Sequence, residues 1–150
     1  MDRMRVHLEA GYPHEACGAL IGSAEDAVYR VMDFRPMRNT VTDRPGDRYA
    51  LDPLEQLQVQ KDAESHGLEI IGFAHSHPDH PPVPSRFDAD HAWTFYSYVV
   101  AAVDKGRLRE ARAWRLNERQ NFDEEPLIVL PPRPAGEGRG GQPQGGGAAA

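Results

Sequence analysis

A chain of 150 residues in which 39% of the side chains are hydrophobic is long enough to bury the core of one domain. Its 17 basic and 23 acidic residues give a net charge of -6 without any basic run, which argues against nucleic acid as a partner. One cysteine excludes an internal disulfide, and no apolar segment approaches the length of a signal-peptide core or a membrane span. We therefore expect a cytoplasmic protein with no membrane partner.

The first 40 residues predict a helix followed by a hairpin. Apolar residues before the first proline have the spacing of a short amphipathic helix, with Met4, Val6 and Leu8 on its inner side. Two apolar or alternating runs follow, ACGALIG and AVYRVMDF. They predict neighbouring strands joined by the polar turn from Ser23 to Asp26.

The middle of the chain predicts a short strand, a helix and a buried strand. The segment RYALD has the composition of a brief strand. Asp52, Pro53 and Glu55 then supply an N-cap, a proline in the first turn and an acidic third residue, which predicts a helix over Pro53 to His66. Gly67 is placed to cap its C-terminus. The run LEIIGFAHSH follows as a buried strand.

The remainder of the chain predicts one more helix and three strands. The helix is expected from Ser85 to about Phe95, and the strands at YSYVVAAV, LREARAWRL and PLIVL. The aromatic residues of these periodic segments are expected to pack in the core rather than to contact a substrate. These aromatic residues are Trp93, Tyr96, Tyr98 and Trp114.

The C-terminal segment differs in composition from everything before it. From Pro131 onward the chain is rich in Pro, Gly, Gln and Ala and has almost no apolar bulk. Such a segment cannot bury enough surface to offset its ordering entropy. We therefore predict one folded domain over 1–130 and a disordered tail over 131–150.

The run HSHPDHPPVPSRFD, residues 75–88, concentrates metal-ligand chemistry in fourteen residues. His75 and His77 are one residue apart, so an extended strand points both imidazoles to the same face. Asp88 adds an anionic third ligand. Two histidines and one carboxylate leave the fourth tetrahedral position of a zinc ion to water, as in catalytic zinc sites. The run therefore predicts one Zn²⁺ ion, which such a ligand set favours over other divalent ions.

Ser85 admits two interpretations. An isolated Ser-x-x-Asp before an amphipathic segment is usually a capping box, in which Ser85 and Asp88 only begin a helix. With two histidines upstream, the same spacing favours a loop that delivers a carboxylate and a hydroxyl to the metal site. His80 lies in the same loop, either lining a substrate groove or exposed to solvent.

The spacing H-x-H-P, seven residues to a Ser and two more to an Asp resembles the JAMM motif of the MPN-plus metalloproteases. The segment PHEACGALIGS resembles the first strand of this family and places Glu15 at the position of its glutamate. MRNTVTDRPGDRYALDP and EARAWRLN also resemble segments of the compact prokaryotic branch, whereas Val83 and Phe87 stand where polar residues are common. The resemblance implies a single MPN domain of the α/β class. Its mixed, mostly antiparallel sheet is flanked by helices and related to the cytidine-deaminase-like architecture.

The resemblance also implies roles for the site residues. Glu15 is implied as the base that takes a proton from the metal-activated water and passes it to the leaving amine. Ser85 is implied as a hydrogen-bond donor to the developing oxyanion. No covalent intermediate is needed, so Cys17 is expected to be a small buried hydrophobe rather than a nucleophile.

Compact prokaryotic relatives act on small ubiquitin-like sulfur carrier proteins that end in diglycine. The resemblance therefore implies hydrolysis of an amide bond at the C-terminal end of such a protein, whose extended tail would pair with an exposed strand. Two other hypotheses remain open, a non-catalytic MPN scaffold for protein assembly and a related metal hydrolase acting on a different amide. The acidic charge counts against a nucleic-acid substrate. The sequence does not indicate the oligomeric state.

Overall fold

The computed structural model describes residues 1–41 and 49–130, together with the backbone of two short strands near the C-terminus. Most of the predicted disordered tail, 131–150, lies outside the described residues, and its disorder stays a prediction. The helices are α1 Asp2–Ala10, α2 Pro53–Glu64 and α3 Arg86–Asp90; the strands are β1 Cys17–Glu25, β2 Val28–Met37, β3 Glu69–Pro78, β4 Ser97–Asp104, β5 Arg107–Leu116, β6 Phe122–Glu125, β7 Gln144–Gly146 and β8 Ala148–Ala149.

Six strands form one mixed sheet in the order β2-β1-β3-β4-β5-β6, and β7 and β8 form a separate pair. Within the large sheet, β3 and β4 run parallel and the other neighbours run antiparallel. A parallel pair needs a crossover connection, and α3 lies in the segment that makes it. The predicted α/β class with a mostly antiparallel mixed sheet is thus confirmed. None of the helices in the described ranges has the length and apolar character that a bilayer crossing requires.

The hairpin of β1 and β2 forms as predicted, with a tighter turn. Glu25 pairs with Val28, so the connection is Asp26 and Ala27 rather than Ser23 to Asp26. Asp26 has φ 56°, a conformation that aspartate tolerates better than most residues. The short connection continues the right-handed twist of the strands.

The two faces of the sheet are covered by different helices. Met4 and Leu8 of α1 pack in the cluster on one face, and Val59 and Ala63 of α2 pack in the cluster on the other. The prediction for Val6 is wrong, because its side chain is 67% exposed. Residues four apart share a helix face, whereas a residue two positions on lies on the opposite side.

Helix α2 begins as predicted, where the carboxylate of Asp52 accepts a hydrogen bond from the backbone N–H of Leu54 (3.1 Å). It ends at Glu64, two residues earlier than predicted. Gly67 has φ 74°, and the N–H of the following Leu68 bonds back to the carbonyl of Ala63 (3.0 Å). Gly67 therefore ends the helix in the left-handed conformation that glycine adopts readily.

The predicted second helix is much shorter than expected. Helix α3 covers only Arg86–Asp90, because the chain turns back toward β4 where the N–H of Trp93 donates to the hydroxyl of Tyr98 (2.9 Å). Tyr98 is buried, but Trp93 is 69% exposed. The expectation of core packing is therefore confirmed for Tyr98 and wrong for Trp93.

Two predicted strands are absent from the residues that the structure describes. Residues 49–52 of RYALD form no strand, and Arg48 lies outside the described residues. At the other end, β6 occupies Phe122–Glu125 in place of the predicted PLIVL. Pro126 has no N–H to donate to a sheet, so pairing with β5 stops before it.

Candidate functional site

The two histidines of the motif lie at the far end of β3. His75 and His77 are 1% and 7% exposed, with their Nε2 atoms 3.2 Å apart. Strand alternation places them on one face of the sheet and Ser76, between them, on the other. Neighbouring strands β1 and β4 pair with β3 along this end, so the two imidazoles are fixed by the sheet.

Asp88 reaches the histidines through a capping box at the start of α3. The backbone N–H of Asp88 donates to Oγ of Ser85 (3.0 Å), and the N–H of Ser85 donates to Oδ2 of Asp88 (2.8 Å). The same Oδ2 lies 3.1 Å from Nε2 of His75 and 3.3 Å from Nε2 of His77. The capping-box interpretation is confirmed, and the same cap orients the carboxylate of Asp88 toward the histidines.

The three donor atoms have the spacing that a tetrahedral metal ion requires. Their separations are 3.1, 3.2 and 3.3 Å. With zinc–ligand bonds of about 2.0–2.1 Å, neighbouring ligand atoms lie about 3.3–3.4 Å apart. The residues thus fit a bound zinc ion with little rearrangement.

A backbone carbonyl selects the tautomer of His77. Its Nδ1 lies 2.9 Å from the carbonyl oxygen of Pro81. Because a carbonyl can only accept, Nδ1 carries the hydrogen and Nε2 presents its lone pair to the cluster. Bonds of this kind from a ligand histidine to the backbone recur in metal sites.

Glu15 lies beside this cluster, just before β1. Its side chain is 5% exposed, and ligand atoms of Glu15, His75 and His77 lie within 4.8 Å of one another. Oδ2 of Asp88 lies within 3.3 Å of both Nε2 atoms, which favours Asp88 as the third ligand.

Burial and neighbouring groups shift the pKa values of the three side chains in different directions. Burial lowers the pKa of His75, although Asp88 opposes this effect. For His77, burial acts in the same direction, but hydrogen bonds with Asp88 and Pro81 outweigh it and raise the pKa. Burial alone would raise the pKa of Asp88, yet His75, His77 and the N–H of Ser85 hold that pKa well below its usual value. Near neutral pH, Asp88 is therefore an anion and His75 is neutral.

Two further residues, Tyr49 and Ser76, contact the site residues or their backbone. Tyr49 stacks on His75 with ring centroids 4.3 Å apart, and burial raises the pKa of its phenol well above 10. Ser76 accepts a hydrogen bond through Oγ from the N–H of Ala16 (2.9 Å), next to Glu15. Ser76 lies inside the motif, but neither the stacking of Tyr49 nor the bond from Ala16 could be predicted from one sequence, because both contacts join distant parts of the chain.

Cys17 and His80 take up positions outside the ligand cluster. Cys17 is fully buried, and burial, with Glu55 and Glu15 adding to it, raises the pKa of its thiol to about 12. The expectation of a buried, unreactive cysteine is confirmed. His80 is exposed, in agreement with the second of its two interpretations.

Comparisons with known proteins agree on one family. The family described as prokaryotic homologs of the JAB domain matches residues 1–117. A desampylase from Haloferax volcanii is 36% identical over 107 residues, 71% of this chain and 73% of the relative. A probable TtuB-protein conjugate cleaving protease from Thermus thermophilus is 35% identical over 130 residues, 87% and 78% of the two chains. A CysO-cysteine peptidase from Mycobacterium tuberculosis is 30% identical over 131 residues, 87% and 86% of the two chains.

Solved structures agree with these relatives. The solution structure of a protein from Desulfitobacterium hafniense superposes with a TM-score of 0.76 at 29% identity, covering 87% of this chain and 88% of that one. A JAB1/MPN domain protein from Archaeoglobus fulgidus has a TM-score of 0.55 at 14% identity, covering 87% and 93%, and shares the fold. The match over 1–117 and the relatives above 30% identity together show that the chain belongs to the prokaryotic JAB domain family.

Proposed function

We propose that the chain is a zinc-dependent peptidase that hydrolyses an amide or isopeptide bond at the C-terminal end of a small ubiquitin-like sulfur carrier protein. It is a hydrolase of the JAMM type, the class to which its relatives' names point. One observation carries the proposal for this chain. Donor atoms of His75, His77 and Asp88 meet at metal-ligand spacing beside the buried carboxylate of Glu15.

The JAB/MPN family is typically metal-dependent, and we assign the ligands as His75, His77 and Asp88. When bound, a zinc ion supplies Lewis-acid chemistry, which lowers the pKa of water to about 7 and polarises the carbonyl to be attacked. The protein holds this position dry, since all three side chains are less than 10% exposed. In such a site, charged interactions are stronger than in bulk water.

Glu15 carries the proton in the proposed reaction. Its carboxylate accepts a proton from the attacking water and returns that proton to the nitrogen of the leaving amine as the C–N bond breaks. Burial beside the histidines keeps the side chain within reach of both positions. One residue thus serves as general base and then as general acid.

Ser85 acts as the donor to the oxyanion. Its Oγ already accepts the N–H of Asp88, so the hydroxyl hydrogen is available for donation to a substrate carbonyl oxygen. A fixed donor aimed at developing charge lowers the barrier more than a mobile water molecule can. The same hydroxyl group therefore caps α3 through its oxygen and donates to the substrate through its hydrogen.

The partner is proposed from the relatives and from the space beside the site. The names of two relatives describe two kinds of substrate, a TtuB-protein conjugate and CysO-cysteine. A groove of about 510 Å³ borders Ser85 and is also lined by Trp114 and Arg119. We propose that an extended diglycine tail binds beside Ser85. A Glu15 remote from the histidines would favour the scaffold hypothesis, and its observed proximity to them counts against it.

The test combines metal analysis with mass spectrometry. Protein purified without chelator is assayed for zinc and incubated with two substrates, a diglycine-ended carrier with an added C-terminal cysteine and the same carrier joined to a lysine ε-amine. We expect stoichiometric zinc, release from at least one substrate by wild type, and none by Glu15→Gln with zinc retained. Zinc without cleavage of either substrate would reject this partner, and activity in Glu15→Gln would reject the mechanism. Protein with neither zinc nor activity would support the scaffold.

A further inference from the structure

We propose that Asn39 is a positioning residue for Glu15, linking the proposed catalytic carboxylate to the backbone at Val41 and Ala50, beside Tyr49. This inference rests on the proposed function, because it assigns a role in positioning the proposed base. Asn39 lies just after β2, outside the metal-ligand motif.

The peptide group between Glu15 and Ala16 is held at both of its polar ends. The carbonyl oxygen of Glu15 accepts a hydrogen bond from Nδ2 of Asn39 (3.1 Å). The N–H of Ala16 donates to Oγ of Ser76 (2.9 Å), and the N–H of Ser76 donates to the carbonyl oxygen of Ala16 (2.9 Å). Fixing this peptide plane limits the backbone rotation that would swing the side chain of Glu15 away from the histidines.

The other end of the Asn39 amide joins two backbone segments, one at Val41 and one at Ala50. Its Oδ1 accepts hydrogen bonds from the backbone N–H groups of Val41 and Ala50, both at 3.0 Å. Between them, the N–H of Thr40 donates to the carbonyl oxygen of Ala50 (2.9 Å). Tyr49, the residue before Ala50, stacks on His75. Asn39 therefore joins the backbone of Glu15 to the segment that packs over a metal-ligand histidine.

The chemistry of the side chain explains why an amide suits this position. A single planar group must donate toward Glu15 and accept from two N–H groups at the same time, which an ionised carboxylate cannot do because it only accepts. Displacement of a catalytic group by about 1 Å can reduce turnover about 100-fold. A small loss of order at the 15–16 peptide would therefore reduce the rate while leaving substrate binding intact.

The test compares Asn39→Asp with Thr40→Val in the full chain. Aspartate keeps the acceptor for Val41 and Ala50 but removes the donor to Glu15. Thr40→Val removes the bond from Oγ1 of Thr40 to the carbonyl of Ala50 and leaves Asn39 in place. Amide hydrogen exchange measures order at Ala16, and steady-state kinetics measure kcat and KM.

For Asn39→Asp we expect exchange at Ala16 to be about 10-fold faster or more, with exchange of the core amides of Ile71 and Val100 unchanged. We expect kcat to be about 10- to 100-fold lower at nearly unchanged KM and zinc content. Thr40→Val should match wild type in all of these measurements.

Wild-type exchange at Ala16 in Asn39→Asp would overturn the inference, and so would faster exchange with wild-type kcat. Equal losses in Thr40→Val would show a general effect of the two backbone segments and would also overturn it. If wild type fails to cleave the carrier substrates, the proposed substrate is wrong, and exchange at Ala16 alone then decides whether Asn39 orders the Glu15 peptide.

Discussion

One oxygen atom of Asp88 serves both the local backbone and the proposed metal site. Oδ2 accepts the N–H of Ser85 and lies within 3.3 Å of both histidine Nε2 atoms. The cap restricts the carboxylate before any ion arrives, so less conformational entropy is lost on binding. Metal affinity should therefore depend on Ser85, which forms the cap, as well as on Asp88 itself.

A comparison of Ser85→Ala with Asp88→Asn separates the effect of the helix cap from the effect of the anionic ligand. Loss of the cap should reduce the free energy of unfolding by about 1 kcal/mol and zinc affinity by about 10-fold, because the carboxylate remains but is less ordered. Asp88→Asn should leave the cap largely intact and reduce zinc affinity further, because the anionic ligand is lost. Urea unfolding measures the free energy of unfolding, and chelator competition measures zinc affinity. Equal zinc affinity in wild type and Ser85→Ala would contradict this account.

The pKa of His77 gives the direction of a pH effect on metal binding. Hydrogen bonds with Asp88 and Pro81 raise this pKa despite burial, so the imidazole still binds a proton at a pH where an ordinary histidine is neutral. A proton on Nε2 occupies the lone pair that a metal needs. Zinc affinity should therefore rise with pH until the pH passes the raised pKa of His77, and it should level off at higher pH. Titration calorimetry from pH 5.5 to 8.5 checks the trend, and pH-independent affinity would contradict it.

At the scale of elements, β3 is central because it carries both histidines and pairs with β1 and β4. Close packing along it leaves no room for a side chain at Gly72. A Cβ placed there would lie 2.1 Å from the backbone carbonyl oxygen of Ser97 on β4. The separation of these strands, and with it the ligand geometry, depends on this glycine.

Gly72→Ala should lower the free energy of unfolding by about 3 kcal/mol or more, since the contact is with backbone that cannot rotate away. Gly67→Asn is the matched control, because Gly67 has a positive φ but open space, and asparagine tolerates that conformation. For the control, urea unfolding should show a loss of only a few tenths of a kcal/mol in the free energy of unfolding. Similar stabilities for the two variants would contradict this account of Gly72.

How far each element could be predicted depends on whether its cause is local. The start of α2 follows from Asp52 and Pro53, and the ligand end of β3 follows from an apolar run ending in the HSHP motif. The early end of α3 follows from a hydrogen bond between Trp93 and Tyr98, which no pattern in the sequence predicts. The same limit applies within the site. Local spacing brought the two histidines and Asp88 together, whereas the contact of Tyr49 joins distant segments.

At the scale of the whole molecule, the site combines residues from the segment just before β1, the end of β3 and the first turn of α3. It therefore exists only when the central sheet is formed. A metal ion that binds this folded arrangement stabilises the native state by mass action.

Removal of zinc should lower the thermal stability of the wild-type chain. At a free zinc concentration of 100 times the dissociation constant, the stabilisation is about 2.7 kcal/mol. Calorimetry with and without a chelator should show a clear fall in Tm for wild type and almost none for Asp88→Asn. The same Tm with and without chelator would show that the wild-type protein binds no stabilising ion.

The shortness of α3 has a kinetic consequence. A helix of five residues has too few internal hydrogen bonds to persist alone, so its cap and its contacts with the histidines hold it in place. Opening of this one turn would withdraw Asp88 while the six-stranded sheet stays intact. Dissociation of a bound ion should then be far faster than unfolding, so that the protein can lose and regain its ion many times within the lifetime of one folded molecule.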